Sequence, residues 1–137
     1  MAANIRLEVV TPQKEVVNEE AQIIVAPGVL GEFGVLVGHT PFMTSLNVGT
    51  IRYTDAQGQE HYVFVSGGFA EALPDKVTVL AESAERRRDI DIERAKSALE
   101  RAQKRIDERS EDIDFVRAEM ALKRSLHRIR LAESGRS

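Results

Sequence analysis

The sequence has 137 residues, 42% of them apolar and 30% charged, with no cysteine and a formal net charge of −3. That length suits one domain, or a small domain with an appendage, and the apolar content supports a core of modest size. Disulfides, thiolate metal centres and cysteine nucleophiles are excluded. No run approaches the ~18 apolar residues of a membrane span, and MAANIRLEVVTP does not read as a signal peptide. The expectation is a soluble chain that reaches a membrane only through a partner.

In chain order, Ile5, Leu7 and Val9 alternate with Arg6, Glu8 and Val10, a half-buried strand closed by Thr11-Pro12. Ile23 to Ala26 is a short apolar run stopped by Pro27-Gly28. Thr50 to Thr54 and His61 to Val65 flank Asp55-Ala56-Gln57-Gly58-Gln59, a hairpin with glycine in its loop. Phe69 to Leu73 and Val77 to Ala81 flank the turn Pro74-Asp75-Lys76. Short strands at close spacing predict an antiparallel sandwich or barrel. Gly67-Gly68 is not a phosphate-binding loop, since no Gly-Lys-[Ser/Thr] follows, and a sharp bend or bulge explains it better.

Near Ala84 the composition changes. Residues 1–84 carry a balance of −6 and residues 85–137 a balance of +3. All four prolines, eight of nine glycines and six of seven aromatics precede residue 85. Beyond it, Ile92, Ala95, Leu99, Ala102 and Ile106 form one helical stripe, and Phe115, Ala118, Leu122, Leu126 and Ile129 form another. Asp107 to Ser110 breaks the pattern. Ser110 can cap the second helix, with Glu111, Asp112 and Asp114 favourable at its N-terminus. A short connection makes antiparallel neighbours. The predicted fold class is α+β: an N-terminal antiparallel β-sandwich over 1–84, then a C-terminal antiparallel α-helical hairpin over 85–137.

Catalytic chemistry finds no support. His39, His61 and His127 belong to no metal-binding spacing and to no nucleophile–base arrangement visible in the sequence, so no catalytic or metal residue is assigned. Two stretches stand out. Gly31-Glu32-Phe33-Gly34-Val35-Leu36-Val37-Gly38-His39-Thr40-Pro41 is either a tight interstrand loop or a rigid loop that presents Glu32 and His39 to a partner. At the start of the first helix, Asp89 or Asp91 can serve as an ordinary cap, with Glu93 and Arg94 on a solvated face. Alternatively, a hairpin turn centred near 108.5 would set Asp91 and Arg94 level with Lys123 to Arg128. Arg124 and Arg128 share a face that Arg117 extends. Arginines on one helix, another on its neighbour and a nearby carboxylate could then clamp a polyphosphate.

Taken together, Val9-Val10-Thr11-Pro12, "GEFGVLVGHTPF", "VSGGFAEALPDKVTVLAESAERRRDIDIERA" and "DIDFVRAEMALKRSLHRIR" resemble the ε subunit of the bacterial F-type ATP synthase over essentially the whole chain. Val37 departs from the proline that many relatives carry there. The resemblance implies a non-catalytic rotor subunit that couples proton translocation to ATP synthesis. Its sandwich would sit against the γ subunit and the c-ring of Fo. Its tail would fold down, or extend toward the α and β subunits and restrain ATP hydrolysis. It implies no required cofactor and a peripheral place on the cytoplasmic side of the bacterial inner membrane. The four basic residues of the acidic first half, and a tail whose positive charge is interleaved with twelve carboxylates, argue against nucleic acid. Some members bind regulatory ATP through an Ile/Leu-Asp-x-x-Arg-Ala motif, matched by Ile90, Asp91, Arg94 and Ala95. An upstream glutamate matches Glu85, and two arginines on the last helix match Arg124 and Arg128. The rival reading is a β-sandwich adaptor with a coiled-coil interaction tail and no nucleotide.

Overall fold

The computed structural model describes residues 3–108 and 115–134. The chain divides into two compact units, Met1–Arg86 and Arg87–Ser137. Each is described by itself.

The first unit contains seven strands: β1 Ile5–Val10, β2 Glu15–Gly28, β3 Gly31–Val35, β4 Phe42–Asp55, β5 Glu60–Leu73, β6 Lys76–Ala81 and β7 Ala84–Arg86. Their order is β1-β6-β5-β4-β2-β3, with β7 beside β5. β1 pairs antiparallel with β2 and parallel with β6, so the sheet wraps back on itself and encloses its core. Ile5, Leu7 and Val9 alternate inward on β1, as the period-two pattern required. They meet Val17, Ile24, Ile51, Tyr53, Val63, Val65, Val77 and Val79 in one apolar cluster.

Several strands outrun their sequence signals. β2 begins at Glu15, well before the apolar run at Ile23, because its first half pairs with β1, with Val17 and Ala21 buried between polar, more exposed residues. Gly31–Val35, read as loop, is strand β3, paired with β2 around the two-residue tip Val29-Leu30. β5 meets β4 along almost its whole length, but on its other side it pairs first with β7 and then with β6. Gly67-Gly68 occupies that change of partner. Gly68 has φ +139°, and a Cβ there would lie 2.2 Å from the Leu80 carbonyl oxygen. Glycine is therefore the residue this crossing admits.

The second unit opens with a 3-10 turn at Arg87–Asp89, followed by helices α1 Ile92–Glu108 and α2 Phe115–Ser134. The two helices pack together, and α2 also touches the 3-10 turn. Ala95, Ala102, Ala118, Ser125 and Leu131 are the buried helical residues. Ile92, Leu99, Ile106, Leu122, Leu126 and Ile129 are only half-buried, and Phe115 is exposed. The seam is thus built mainly from small side chains. The capping role predicted for Ser110, with Glu111, Asp112 and Asp114, falls outside the described residues.

Candidate functional site

Three places in the fold concentrate polar or partner-seeking chemistry. The first is the start of α1. Asp91 Oδ1 accepts a hydrogen bond from the Arg94 backbone N–H at 3.0 Å, and the Asp91 carbonyl accepts from the Ala95 N–H at 3.0 Å. Asp91 is therefore the N-cap of α1, with its charge at the positive end of the helix dipole. Ile90 is buried just before it, and Ala95 is buried just after. Asp91 and Arg94 are exposed, whereas Arg124 and Arg128 on α2 are half-buried. Glu85 lies in β7 of the first unit, paired with Phe64.

The level of the two helices differs from the expected one. Lys96 Nζ lies 3.7 Å from Glu133 Oε2, which joins the first turns of α1 to the last turn of α2. Arg128 and Arg124 are five and nine residues before Glu133, and Lys96 and Glu133 reach each other through long, exposed side chains. On the centre given by the helix ends, Arg128 is level with Ala95, beside Arg94, and Arg124 is one turn further along α1. The reason is the length of the connection. α1 continues to Glu108 and α2 starts at Phe115, which moves the centre of the hairpin to about 111.5. His127, on the same stretch of α2, has its pKa lowered by burial and then by the neighbouring Arg130 and Lys123. The sequence had given that histidine no catalytic or metal role.

The second place is the outward face of β4, β5 and β6. Register places Ser45, Phe69 and Leu80 in one row, and Met43, Glu71 and Thr78 in the next. Met43, Phe69, Leu73 and Leu80 are all exposed. Such an apolar face on a small unit marks a protein interface. The nearby loop after β3 is held by Gly38, which takes φ +84° and donates its N–H to the Pro74 carbonyl at 2.7 Å. His39 is half-buried, with Nδ1 2.5 Å from the Thr40 carbonyl and its ring 4.9 Å from Phe42. Glu32 pairs with Arg52 at 3.1 Å, and both residues are exposed. These hydrogen bonds fix the loop at Gly38 and His39, while Glu32 stands on strand β3.

The third place was missed by the sequence reading. Tyr53 donates its hydroxyl proton to Glu19 and accepts from Arg86 Nη1 at 2.9 Å, while Arg86 Nη2 reaches Glu19 at 3.3 Å. Burial, followed by the Glu19 hydrogen bond, pushes the Tyr53 pKa up to about 12. The Tyr53 ring stacks on His61 at 4.8 Å, and His61 Nε2 lies 2.7 Å from Asp55 Oδ2. Hydrogen bonding from His61, and then from the Gln59 backbone, holds the Asp55 pKa below the usual carboxylate value. Glu19, Asp55 and His61 come from three strands or their ends, so no local spacing announces them. The only signal was a polar residue at each of three otherwise strand-like positions.

Comparison with known proteins decides what these features belong to. Residues 4–87 match the model for the ATP synthase delta/epsilon chain β-sandwich domain, and residues 88–133 match that for its long α-helix domain. The chain belongs to the ATP synthase delta/epsilon family. It is 64% identical over 107 residues to the ATP synthase epsilon chain of Desulfosudis oleivorans, covering 78% of this chain and 80% of that one. It is 49% identical over 133 residues to that of Syntrophobacter fumaroxidans, covering 97% and 98%. Among solved structures, it matches a chain of the Euglena gracilis mitochondrial ATP synthase, OSCP/F1/c-ring in rotational state 1. That match has a TM-score of 0.81 and 25% identity, and covers 98% of this chain and 84% of the other. A chain from the central stalk and c-ring of the Tetrahymena thermophila enzyme shares the fold at a TM-score of 0.56 and 14% identity, over 95% of this chain and 94% of that one.

As an epsilon-type member of the delta/epsilon family, the chain is a non-catalytic subunit of the F1 central stalk within an ATP synthase complex. This sets aside the free-standing adaptor. Among the described residues, no helix of this family member is long and apolar enough to cross a membrane.

Proposed function

We propose that this subunit couples rotation in the stalk to ATP synthesis through its sandwich and restrains ATP hydrolysis through its helical unit, with ATP as a regulatory ligand of that unit. In this reading the Met43–Phe69–Leu80 face rests on the γ subunit, and the Glu32–His39 loop meets the c-ring of Fo. Such a placement holds the chain peripherally on the cytoplasmic side of the bacterial inner membrane.

The observation that carries the regulatory part is the thin seam of the hairpin. Four of its five buried helical residues are Ala or Ser. Burial stabilises by about 0.8 kcal/mol per methylene-sized group, against about 1.5–3 kcal/mol for a Leu or Ile side chain. A seam of alanines therefore opens at modest cost. Once open, it exposes a helix carrying Arg117, Lys123, Arg124, Arg128 and Arg130 to the acidic surface of an α or β subunit. Such a contact weakens with salt. ATP favours the closed hairpin only to the extent that it binds that state more tightly.

The register supports a nucleotide site on the hairpin. Arg128 falls level with Arg94 and Ala95, and Arg124 lies one turn further along. A bound nucleotide would lie lengthwise, with its phosphates toward the arginines of α2. Titrating the intact chain with ATP by calorimetry tests this. Arg124→Ala and Arg128→Ala should each weaken binding while helicity is unchanged. Wild-type affinity in both variants would refute the site.

A further inference from the structure

We propose that Glu19, Asp55 and His61 form a divalent-metal site of the borderline class that zinc represents, within the sandwich and independent of the nucleotide site. One ligand atom from each of the three residues lies within 4.8 Å of the other two. In a tetrahedral zinc centre, metal–ligand bonds of about 2.0–2.2 Å place donors roughly 3.3–3.6 Å apart. Small side-chain rotations close that difference.

The surroundings already organise the carboxylates as metal sites require. The recorded hydrogen bonds to Glu19 from Tyr53 and Arg86 converge on Oε2, which leaves Oε1. Asp55 Oδ1 accepts from the backbone N–H groups of Gln57 and Gln59, both at 2.9 Å, which leaves Oδ2 facing the imidazole. Each acid is thus gripped by one oxygen and offers the other. The His61 ring is held nearly parallel to Tyr53, at 17°, so its orientation is also set in advance. The Asp55 side chain is only 9% exposed, well beyond the reach of ordinary solvated acid clusters.

Charge supports a cation. Glu19, Asp55 and Arg86 sum to −1 while His61 is neutral, so the cluster has an excess of negative charge. Arg86 opposes the ion and keeps the site weaker than a structural zinc centre. One imidazole nitrogen with two carboxylate oxygens, and water as a fourth ligand, suits Zn²⁺ in preference to Mg²⁺, which prefers a full set of oxygens. Binding replaces the His61–Asp55 hydrogen bond with two bonds to the metal, the imidazole giving up its Nε2 proton to solvent and taking one at Nδ1, so that no net proton is released.

The test uses the full chain, stripped with chelator and titrated with ZnCl₂ by calorimetry, with the visible absorption of bound Co²⁺ as a second readout of the ligand set. The expected result is one saturable equivalent per chain. His61→Ala and Glu19→Gln should each weaken it about tenfold or more, while His39→Ala and His127→Ala leave it unchanged. His61→Gln, which retains a hydrogen-bonding group for Asp55, guards against loss through unfolding. It should keep the wild-type melting temperature and lose the metal. Absence of saturable Zn²⁺ binding in the wild type would overturn the proposal. So would wild-type affinity in His61→Gln, or equal affinity for Mg²⁺.

Discussion

Asp91 is both the N-cap of α1 and a proposed ligand group, and two substitutions separate these roles. Asp91→Ala removes the acceptor for the Arg94 N–H, at 3.0 Å, and the negative charge at the helix N-terminus. Loss of an N-cap costs about 1 kcal/mol, within a range of 0.5–2. A loss of about 1 kcal/mol multiplies local opening roughly fivefold. Because the bond is local, the effect should concentrate in the Arg94 and Ala95 amides, read by native-state hydrogen exchange. Asp91→Asn keeps a side-chain oxygen at the cap and removes only the charge, so those amides should stay within about twofold of wild type. If the carboxylate also orders ribose or base, Asp91→Asn should still weaken ATP binding. Unchanged protection in Asp91→Ala would refute the capping argument. Equal loss in both variants would show that charge, and not the hydrogen bond, holds the helix start.

Other consequences follow from single residues. Gly68→Val puts a branched side chain at φ +139° against the Leu80 backbone, so it should cost at least about 3 kcal/mol; a melting temperature within a few degrees of wild type would contradict the crossing geometry. His127 has a lowered pKa in the folded hairpin, so the unfolded chain takes up a proton first as pH falls below the ordinary histidine value. Hairpin stability should therefore be full above about pH 6.5 and fall as the pH drops below it, and His127→Leu should flatten that dependence in helicity measurements. Met43→Lys with Leu80→Lys should leave the sandwich folded, because both side chains are exposed, yet weaken its assembly with γ in a pull-down; undiminished assembly would move the interface to another face.

The strands announced by alternation or by turn residues were legible in the sequence. β1 and the flanks of the Asp55–Gln59 and Pro74–Lys76 turns stand where Ile5, Leu7, Val9, Gly58 and Pro74 predict them. The break in composition near Ala84 lies two residues before the division between Arg86 and Arg87. What was illegible depended on partners distant in sequence. The first half of β2 is polar and extended because β1 lies alongside it, and β3 exists because β2 turns at Val29-Leu30. The helix stripes were found, but depth within them was not: Ser125 is buried and Phe115 exposed, since the packed seam follows the smallest side chains. The cap at Asp91 was legible from residue type, while its distance from Arg124 and Arg128 depended on a connection length that the stripes overcount at neither end. The Glu19–Asp55–His61 grouping was hidden altogether, because three strands converge there.

A self-sufficient sandwich should carry the helical unit as a separable restraint on hydrolysis. Ending the chain after Arg86, so that the hydrogen bonds of Arg86 to Tyr53 and Glu19 are kept, tests it most directly. ATP hydrolysis by the complex assembled with residues 1–86 should rise above that with the full chain, while the shortened subunit still melts cooperatively and binds γ. Hydrolysis equal in the two complexes, with the shortened subunit fully incorporated, would contradict the claim.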